Sequence, residues 1–222
     1  MNILVTGGAG FIGSHVAERY LKEGHDVVVF DNLSRAELLK KPIKHIDFNK
    51  KYLEQFKNFR FIKGDVRNEK EITAAANDAD VIFHTAAQTA VTTSVTDPRP
   101  DHEVNILGTF NVLEAARKSG RNPSTIYCST NKVFGNNVNN IGVVEKKDHY
   151  EFEPKYKAGV GETFSIDLCE HTPYGVSKLT GDLYAQDYAH IYGLKTGVFR
   201  MSCIYGTRQF GVEDQGWVAW FT

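Results

Sequence analysis

Residues 2–15 read NILVTGGAGFIGSH, and the order of physical characters along that stretch decides the fold. Ile3, Leu4 and Val5 form an uninterrupted apolar run, as expected of a strand covered on both faces. Thr6 follows, and then Gly7, Gly10 and Gly13. Gly7 permits a tight turn, Gly10 lets the main chain approach a pyrophosphate, and Gly13 lets a helix pack closely on the strand. A helical pattern begins near Phe11, so its free first-turn N–H groups and positive dipole end face whatever the turn holds. With 19 glycines in 222 residues, the spacing alone arises readily by chance. Its place between a strand and a helix makes it a dinucleotide signature.

The next apolar run, Asp26 to Phe30, ends at Asp31, about 20 residues beyond the turn, where a carboxylate accepts hydrogen bonds from an adenosine ribose and repels a 2′-phosphate. NAD is therefore expected in preference to NADP; Arg35 is the feature that would suit NADP. Gly64-Asp65-Val66 closes a third strand where a short acidic side chain can meet an adenine amino group. Ala86-Ala87 after the fourth strand leaves room for the cofactor, and Gln88 is expected to point toward the nicotinamide side.

Further along, β-branched runs at Phe59–Lys63, Val81–His84, Thr125–Cys128 and Thr196–Arg200 alternate with helical patterns near 11–23, 68–77, 101–119 and 174–192. Buried strands joined by helices predict an α/β fold, a doubly wound parallel sheet of the Rossmann type. Two stretches interrupt the rhythm: 35–58, which includes Lys40-Lys41 and Lys50-Lys51 and suggests a helical insertion, and 135–173, which suggests a substrate-side loop. Residues 1–206 are assigned to the nucleotide-binding domain and 207–222 to the start of a substrate-binding region.

Composition removes several classes of function. Lys plus Arg (26) and Asp plus Glu (27) nearly cancel, so no basic field recruits nucleic acid or an anionic membrane. The apolar start breaks at Gly7, too early for a signal peptide, and no apolar run is long enough to span a bilayer; a cytoplasmic protein is expected. Cys128, Cys169 and Cys203 lack metal-ligand spacing and are expected to be buried free thiols.

Tyr174 and Lys178 lie one helical turn apart, so an ammonium can favour the phenolate and let Tyr174 act as a general base near neutrality. The fifth strand ends at Ser129-Thr130, on the edge where doubly wound sheets bind ligands, and places a hydroxyl beside the same chemistry. Asn105 falls inside a helical pattern, where an amide is not favoured by propensity, and is expected to tie that helix to the backbone near the site.

Taken together, the glycine turn, Asp31-Asn32-Leu33, Gly64-Asp65-Val66, Ala86-Ala87-Gln88, Tyr174 to Lys178 and Arg200 to Gly206 resemble the extended short-chain dehydrogenases/reductases, the NAD-dependent sugar epimerases and dehydratases. The resemblance covers the whole chain. Within that family, Gln88 to Ser94, Ser129 to Gly135, Ser177-Lys178, and Tyr205 to Phe210 with Asp214 to Phe221 are similar to the CDP-sugar 2-epimerases.

The resemblance implies NAD held by Gly7, Gly10, Phe11, Ile12, Gly13, Asp31, Asn32, Asp65, Val66, Ala86, Ala87, Gln88, Asn105, Tyr174 and Lys178. It implies catalysis by Thr130, Tyr174 and Lys178, with the nucleotide-sugar met by Gln88, Thr130, Asn131 and Arg208. The expected reaction inverts C2 of a CDP-sugar through a transient 2-keto sugar. A homo-oligomer built on helices 101–119 and 174–192, and a chain continuing beyond Thr222, are implied as well. Phe134 stands where the wider family usually has tyrosine, and Ser202-Cys203 where many members carry Phe-Asn, so the sugar contacts of 4-epimerases do not transfer directly. A 4-epimerase, a 4,6-dehydratase and a non-catalytic NAD-binding module are the competing readings. Asn131-Lys132 beside Thr130, where a dehydratase would carry an acidic pair, weighs against the dehydratase.

Overall fold

The computed structural model describes residues 1–38, 45–213 and 215–222. Among them, six parallel strands form one sheet: β1 (Asn2–Thr6), β2 (Asp26–Asp31), β3 (Phe59–Lys63), β4 (Val81–His84), β5 (Ser124–Thr130) and, after a separate hairpin of β6 (Val143–Glu145) and β7 (Tyr150–Phe152), β8 (Thr196–Met201). The spatial order is β3-β2-β1-β4-β5-β8, which reverses direction between β1 and β4. This is the Rossmann topology, and the reversal opens a crevice at the carboxyl ends of β1 and β4.

The apolar run of β1 divides between two cores because successive side chains point to opposite faces. Leu4 joins Phe30, Ile72, Ile82, Val112 and Leu113 on one side. Ile3 and Val5 join Ala17, Leu21, Val27, Val29 and Leu53 on the other. All three β1 side chains are at most 1% exposed, a burial worth about 1.5–3 kcal/mol for each.

The covering helices are α1 (Phe11–Lys22), α2 (Arg35–Leu38), α3 (Phe48–Leu53), α4 (Glu69–Ala76), α5 (Val91–Thr96), α6 (Gly108–Lys118) and α7 (Thr172–Tyr192), with α8 (Trp217–Phe221) at the end of the chain. Their limits follow from local chemistry. Asn68 caps α4 by accepting the Lys70 and Glu71 amides. Helix α7 starts with Pro173 in its first turn and stops at Gly193, which takes the left-handed conformation at φ 68°.

The structure departs from the sequence expectations in three places. The helix expected over 101–119 begins as a π-helical segment, Asp101–Leu107, before continuing as α6. The expected loop 135–173 holds structure of its own: the 3₁₀ segment Asn131–Asn140 runs into it, followed by the β6–β7 hairpin and a single turn at Pro154–Tyr156. Both hairpin strands are exposed on both faces, so no apolar alternation marks them. All three cysteines are free, but Cys203, which follows the edge strand β8, is exposed and Cys128 and Cys169 are only half-buried. Of the 35–58 stretch, α2 and α3 are helical as expected; Lys40-Lys41, like Asp214, lies outside the described residues.

Candidate active site

β1 carries the glycine turn to the edge of the crevice, and packing there leaves no room for side chains. Gly7 has φ +69°, and a Cβ on it would sit 2.5 Å from the Ala86 nitrogen. A Cβ on Gly13 would sit 2.5 Å from the Gly7 carbonyl oxygen and 2.6 Å from Thr85 Oγ1. Gly10 caps α1 without any side-chain acceptor, so the first-turn amides keep their donor capacity for a ligand.

Asp31 ties the turn to β2. Its Oδ2 accepts from the Ala9 amide (3.0 Å) and its Oδ1 from the Leu33 amide (2.8 Å). Burial pushes the Asp31 carboxyl above the ordinary carboxylate range, and the two amides oppose that push. Each oxygen keeps a lone pair for a further donor. Asn32 Nδ2 donates to Asp65 Oδ2 (2.8 Å), and Arg67 grips the same carboxylate through Nε (3.0 Å) and Nη2 (2.7 Å). Burial raises the Asp65 pKa, but these donors outweigh it and hold the group below its usual value.

Gly7, Gly10, Phe11, Ile12, Gly13, Asp31, Asn32, Asp65, Val66, Ala86, Ala87 and Gln88 all line one cavity of about 240 Å³. A cradle without Cβ atoms, uncapped helix amides and a buried carboxylate with spare lone pairs form the donor and acceptor set that a dinucleotide's pyrophosphate and ribose require.

Arg208, Gln209, Phe210 and Gln215 line the same cavity. Arg35 Nη2 donates to the Phe210 carbonyl (2.7 Å), and the Phe210 ring meets Phe48 at 5.2 Å between centroids. Arg208, expected to meet the substrate, is bound instead to α1: its Nη2 donates to Glu18 Oε2 at 2.7 Å and its guanidinium stacks on Tyr52 at 4.2 Å. Glu18 also accepts from Lys22 (2.6 Å) and the Tyr52 hydroxyl (2.7 Å). Burial alone would raise the Glu18 pKa, but these three donors bring it down to about 2.

Two further expectations are corrected. The Gln88 side chain, expected to face the nicotinamide and the substrate, is 1% exposed. It turns inward, exchanging hydrogen bonds with the Ala90 main chain and donating to Asp101 Oδ2 at 2.8 Å. Asn105, placed among the cofactor contacts, is also 1% exposed. Its Oδ1 accepts from the Gln88 amide (2.8 Å), and its Nδ2 donates to the Gln88 carbonyl (3.0 Å) and to Ser177 Oγ (2.9 Å). Both amides spend their polar atoms on protein because the π-helical segment presses its inner face against the loop after β4.

Thr130, Tyr174 and Lys178 stand beyond the Gln88 end, outside the cavity lining. The Thr130 hydroxyl is near enough to the Tyr174 phenol to favour its ionised form, and it donates to Oδ1 of exposed Asn131 at 3.3 Å. The Tyr174 amide donates to Ser94 Oγ at 3.1 Å. Lys178 is 4% exposed, and burial lowers its pKa to about 8. Its Nζ lies 4.3 Å from the centroid of the Tyr127 ring, so the ammonium is directed at that aromatic face. The phenol of Tyr174 consequently sits above its ordinary pKa: burial raises it, Thr130 opposes, and the charge of Asp101 adds to the rise. A phenol brought toward neutrality, the expectation from spacing alone, is not what this arrangement gives.

Behind these groups His84 is fully buried and bonded at both ring nitrogens, to Thr6 Oγ1 (2.7 Å) and Thr109 Oγ1 (2.9 Å). Thr109 gives its own proton to the Asn105 carbonyl (2.6 Å), so it must accept from His84 Nε2–H, and Thr6 must donate to Nδ1. Burial, then the Lys178 charge, brings the His84 pKa down to about 3. His84, Ser94, Asp101 and Ser177 were not singled out in the sequence; the spacing of Asp101 and Asn105 is the signal that could have found the second pair of contacts.

A sequence profile described as the NAD dependent epimerase/dehydratase family matches residues 3–221. CDP-paratose 2-epimerase of Salmonella typhi is 43% identical, over all of this chain and 62% of its own length. The UDP-glucose 4-epimerase of Thermus thermophilus, solved in complex with NAD, is 32% identical with a TM-score of 0.70, covering 96% of this chain and 59% of that one. The UDP-glucuronic acid 4-epimerase of Bacillus cereus, solved with UDP-glucuronic acid and NAD, is 31% identical with a TM-score of 0.72, over 94% and 59%. The chain thus spans about three fifths of the length of these relatives.

Proposed function

From the premise that this chain belongs to the NAD dependent epimerase/dehydratase family, we propose that it holds NAD in the Gly7–Gly13 and Asp31 cavity and serves a nucleotide-sugar epimerase. The reaction that fits best is inversion of C2 in CDP-paratose to give CDP-tyvelose. The observation that carries the reading is Tyr174 one helical turn from buried Lys178, with the Thr130 hydroxyl acting on its phenol, in a fold whose glycine turn and Asp31 line one cavity. The 43% identity to CDP-paratose 2-epimerase supports the CDP-sugar and the C2 position.

A C2–H bond in a glycosyl phosphate neighbours no carbonyl, so direct deprotonation would leave an unstabilised carbanion, and oxidation of the C2 hydroxyl is the available route. Bound NAD would supply the hydride acceptor and donor. Tyr174 takes the hydroxyl proton and later returns it, while Thr130 holds the same oxygen in line. Lys178, one helical turn from Tyr174, would help hold the cofactor, and Asp31 would fix the ribose and disfavour a 2′-phosphate. A phenol must be ionised to take that proton, and the Tyr174 pKa in this arrangement lies above its ordinary value, so the base form would require the positive charge that bound NAD would bring.

Residues 1–206 are proposed as the cofactor-holding domain and 207–222 as the start of the substrate-binding region. The apolar residues left exposed on α6 and α7, including Phe110, Val176, Leu183 and Tyr184, support a homo-oligomer joined through these helices. No helix among the described residues is long and apolar enough to cross a membrane, which supports the proposed cytoplasmic location.

The test is incubation of the full-length protein with CDP-paratose, CDP-tyvelose, UDP-glucose and UDP-galactose, followed by NMR of the products. C2 inversion of the CDP-sugars is expected, with a fall of about a hundredfold or more in Tyr174→Phe. Inversion at C4 of the UDP-sugars would establish the 4-epimerase reading instead. NAD binding without any turnover would favour a non-catalytic module.

A further inference from the structure

Asp101 is a buried carboxylate that the reaction scheme above does not use. It is 1% exposed and opens the π-helical segment Asp101–Leu107, a backbone irregularity of the kind that often accompanies functional sites. Its Oδ2 accepts from Gln88 Nε2 at 2.8 Å, while its Oδ1 has only Asn105 Nδ2 at 3.5 Å. No Lys or Arg forms a salt bridge with it among the described residues.

Two arms of hydrogen bonds run from this carboxylate to the main chain of Tyr174. Through Gln88 it holds Ala90, which caps α5, and α5 presents Ser94 Oγ to the Tyr174 amide. Through Asn105 it reaches Ser177 Oγ (2.9 Å), which donates to the Tyr174 carbonyl (2.8 Å). Both peptide groups of Tyr174 are therefore anchored to partners that meet at Asp101. Its negative charge is also felt at the phenol, where it disfavours the phenolate.

We infer that Asp101 is a positioning residue for Tyr174: it fixes the Tyr174 backbone through Gln88 and Asn105. This rests on the proposed role of Tyr174 and adds to it a group that reports on that role without substrate. Burial raises the Asp101 pKa to about 6, with Gln88 opposing and the charge of Asp97 adding. Asp97 from the preceding loop and Tyr174 from α7 are the titratable groups whose fields it shares; His102 and Glu103 follow it on its own segment, Glu103 paired with Arg67 and Arg99.

The experiment follows the ¹³Cζ resonance of Tyr174 in ¹³C-tyrosine-labelled protein, assigned by its loss in Tyr174→Phe, between pH 4.5 and 7.5. The wild-type resonance should move with an inflection near pH 6, and Asp101→Asn, which keeps an oxygen for Gln88 Nε2 but removes the charge, should abolish it. Amide exchange at Tyr174 should stay protected in Asp101→Asn and quicken at least tenfold in Asp101→Ala, which removes both arms. An inflection that survives in Asp101→Asn belongs to another group such as His102 and overturns the electrostatic link between Asp101 and the phenol. Unchanged exchange in Asp101→Ala overturns the positioning part. If Asp101→Ala does not fold, Gln88→Leu cuts one arm and reads the same exchange. These readouts need no turnover, so their failure in a protein that inverts CDP-sugars removes only the inference, whereas their success in one that inverts nothing leaves the inference and removes the enzyme reading.

Discussion

Replacing Glu18 by Gln removes the charge at which α1, α3 and the cavity-lining Arg208 meet. The carboxylate accepts from Lys22, Tyr52 and Arg208 at 2.6–2.7 Å and is 9% exposed. Its pKa falls from 4.5 to about 2; at about 1.4 kcal/mol per tenfold, that corresponds to about 3 kcal/mol of folded-state preference for the charged form. The native state binds this proton less readily than the unfolded chain. The stabilisation is thus fully present above pH 4.5 and is lost as pH falls toward 2. Urea denaturation of wild type and Glu18→Gln should therefore differ by about 2–3 kcal/mol at pH 7 and by only about 1 kcal/mol at pH 3. The variant should also leave the Arg208 guanidinium, itself only 14% exposed, without its anion. That loosens residues 207–210 and should quicken their amide exchange. A stability gap that is the same at pH 7 and pH 3, or that is below about 0.5 kcal/mol throughout, would refute the assignment of Glu18 as the hub.

Gly13→Ala should cost about 1–3 kcal/mol, because the new methyl overlaps the Gly7 carbonyl oxygen at 2.5 Å, and should weaken NAD binding by displacing α1; calorimetry showing wild-type affinity would count against the cradle. Asp31→Ala should loosen NAD by removing charge-assisted hydrogen bonds of roughly 1.5–3 kcal/mol each, and NADP should become relatively better tolerated; the ratio of the two affinities decides this. Lys178→Met should be more stable than wild type at pH 7. A buried ammonium with its pKa lowered to about 8 makes the native state the weaker proton binder, so its penalty is complete below pH 8 and fades as pH rises through 8 toward 10.5. Melting curves at pH 7 and pH 10 that show a widening gap would contradict that sign.

The sheet was legible in the sequence because its inner strands β1, β2, β4 and β5 are buried enough to be written as short apolar or β-branched runs, and the edge strands β3 and β8, which bury no residue fully, still carry aromatic or β-branched residues. The glycine turn was legible for the same local reason: Gly7 and Gly13 answer to contacts within one strand–turn–helix unit and one neighbouring strand. Gln88 and Asn105 were read in the right neighbourhood with the wrong partners. Their orientation depends on a π-helical segment pressing on the loop after β4, a meeting of segments 13 to 17 residues apart whose geometry no periodicity encodes. Arg208 was misplaced more severely, since its partner Glu18 lies 190 positions away. The ionisation of Tyr174 shows the limit most clearly. Spacing places Lys178 on the same helix, yet whether its charge reaches the phenol or the Tyr127 ring is a matter of packing.

The strand order carries a consequence for how the chain is made. β1 leaves the ribosome before the other strands, yet it sits in the middle of the sheet and needs β2 on one edge and β4 on the other. The residues proposed for the adenosine side, from Gly7 to Val66, are all translated while the second edge of β1 is still open. At roughly 5–20 residues per second, the nascent chain then waits on the order of 10 s between Val66 and the emergence of Lys178. During that interval Leu4 and Phe30 lack the α6 residues Val112 and Leu113 that complete their core. A newborn chain therefore holds only part of the proposed nucleotide pocket and a bare parallel edge before Tyr174 and Lys178 have been translated, the stage at which an unpaired strand edge is most open to wrong pairing.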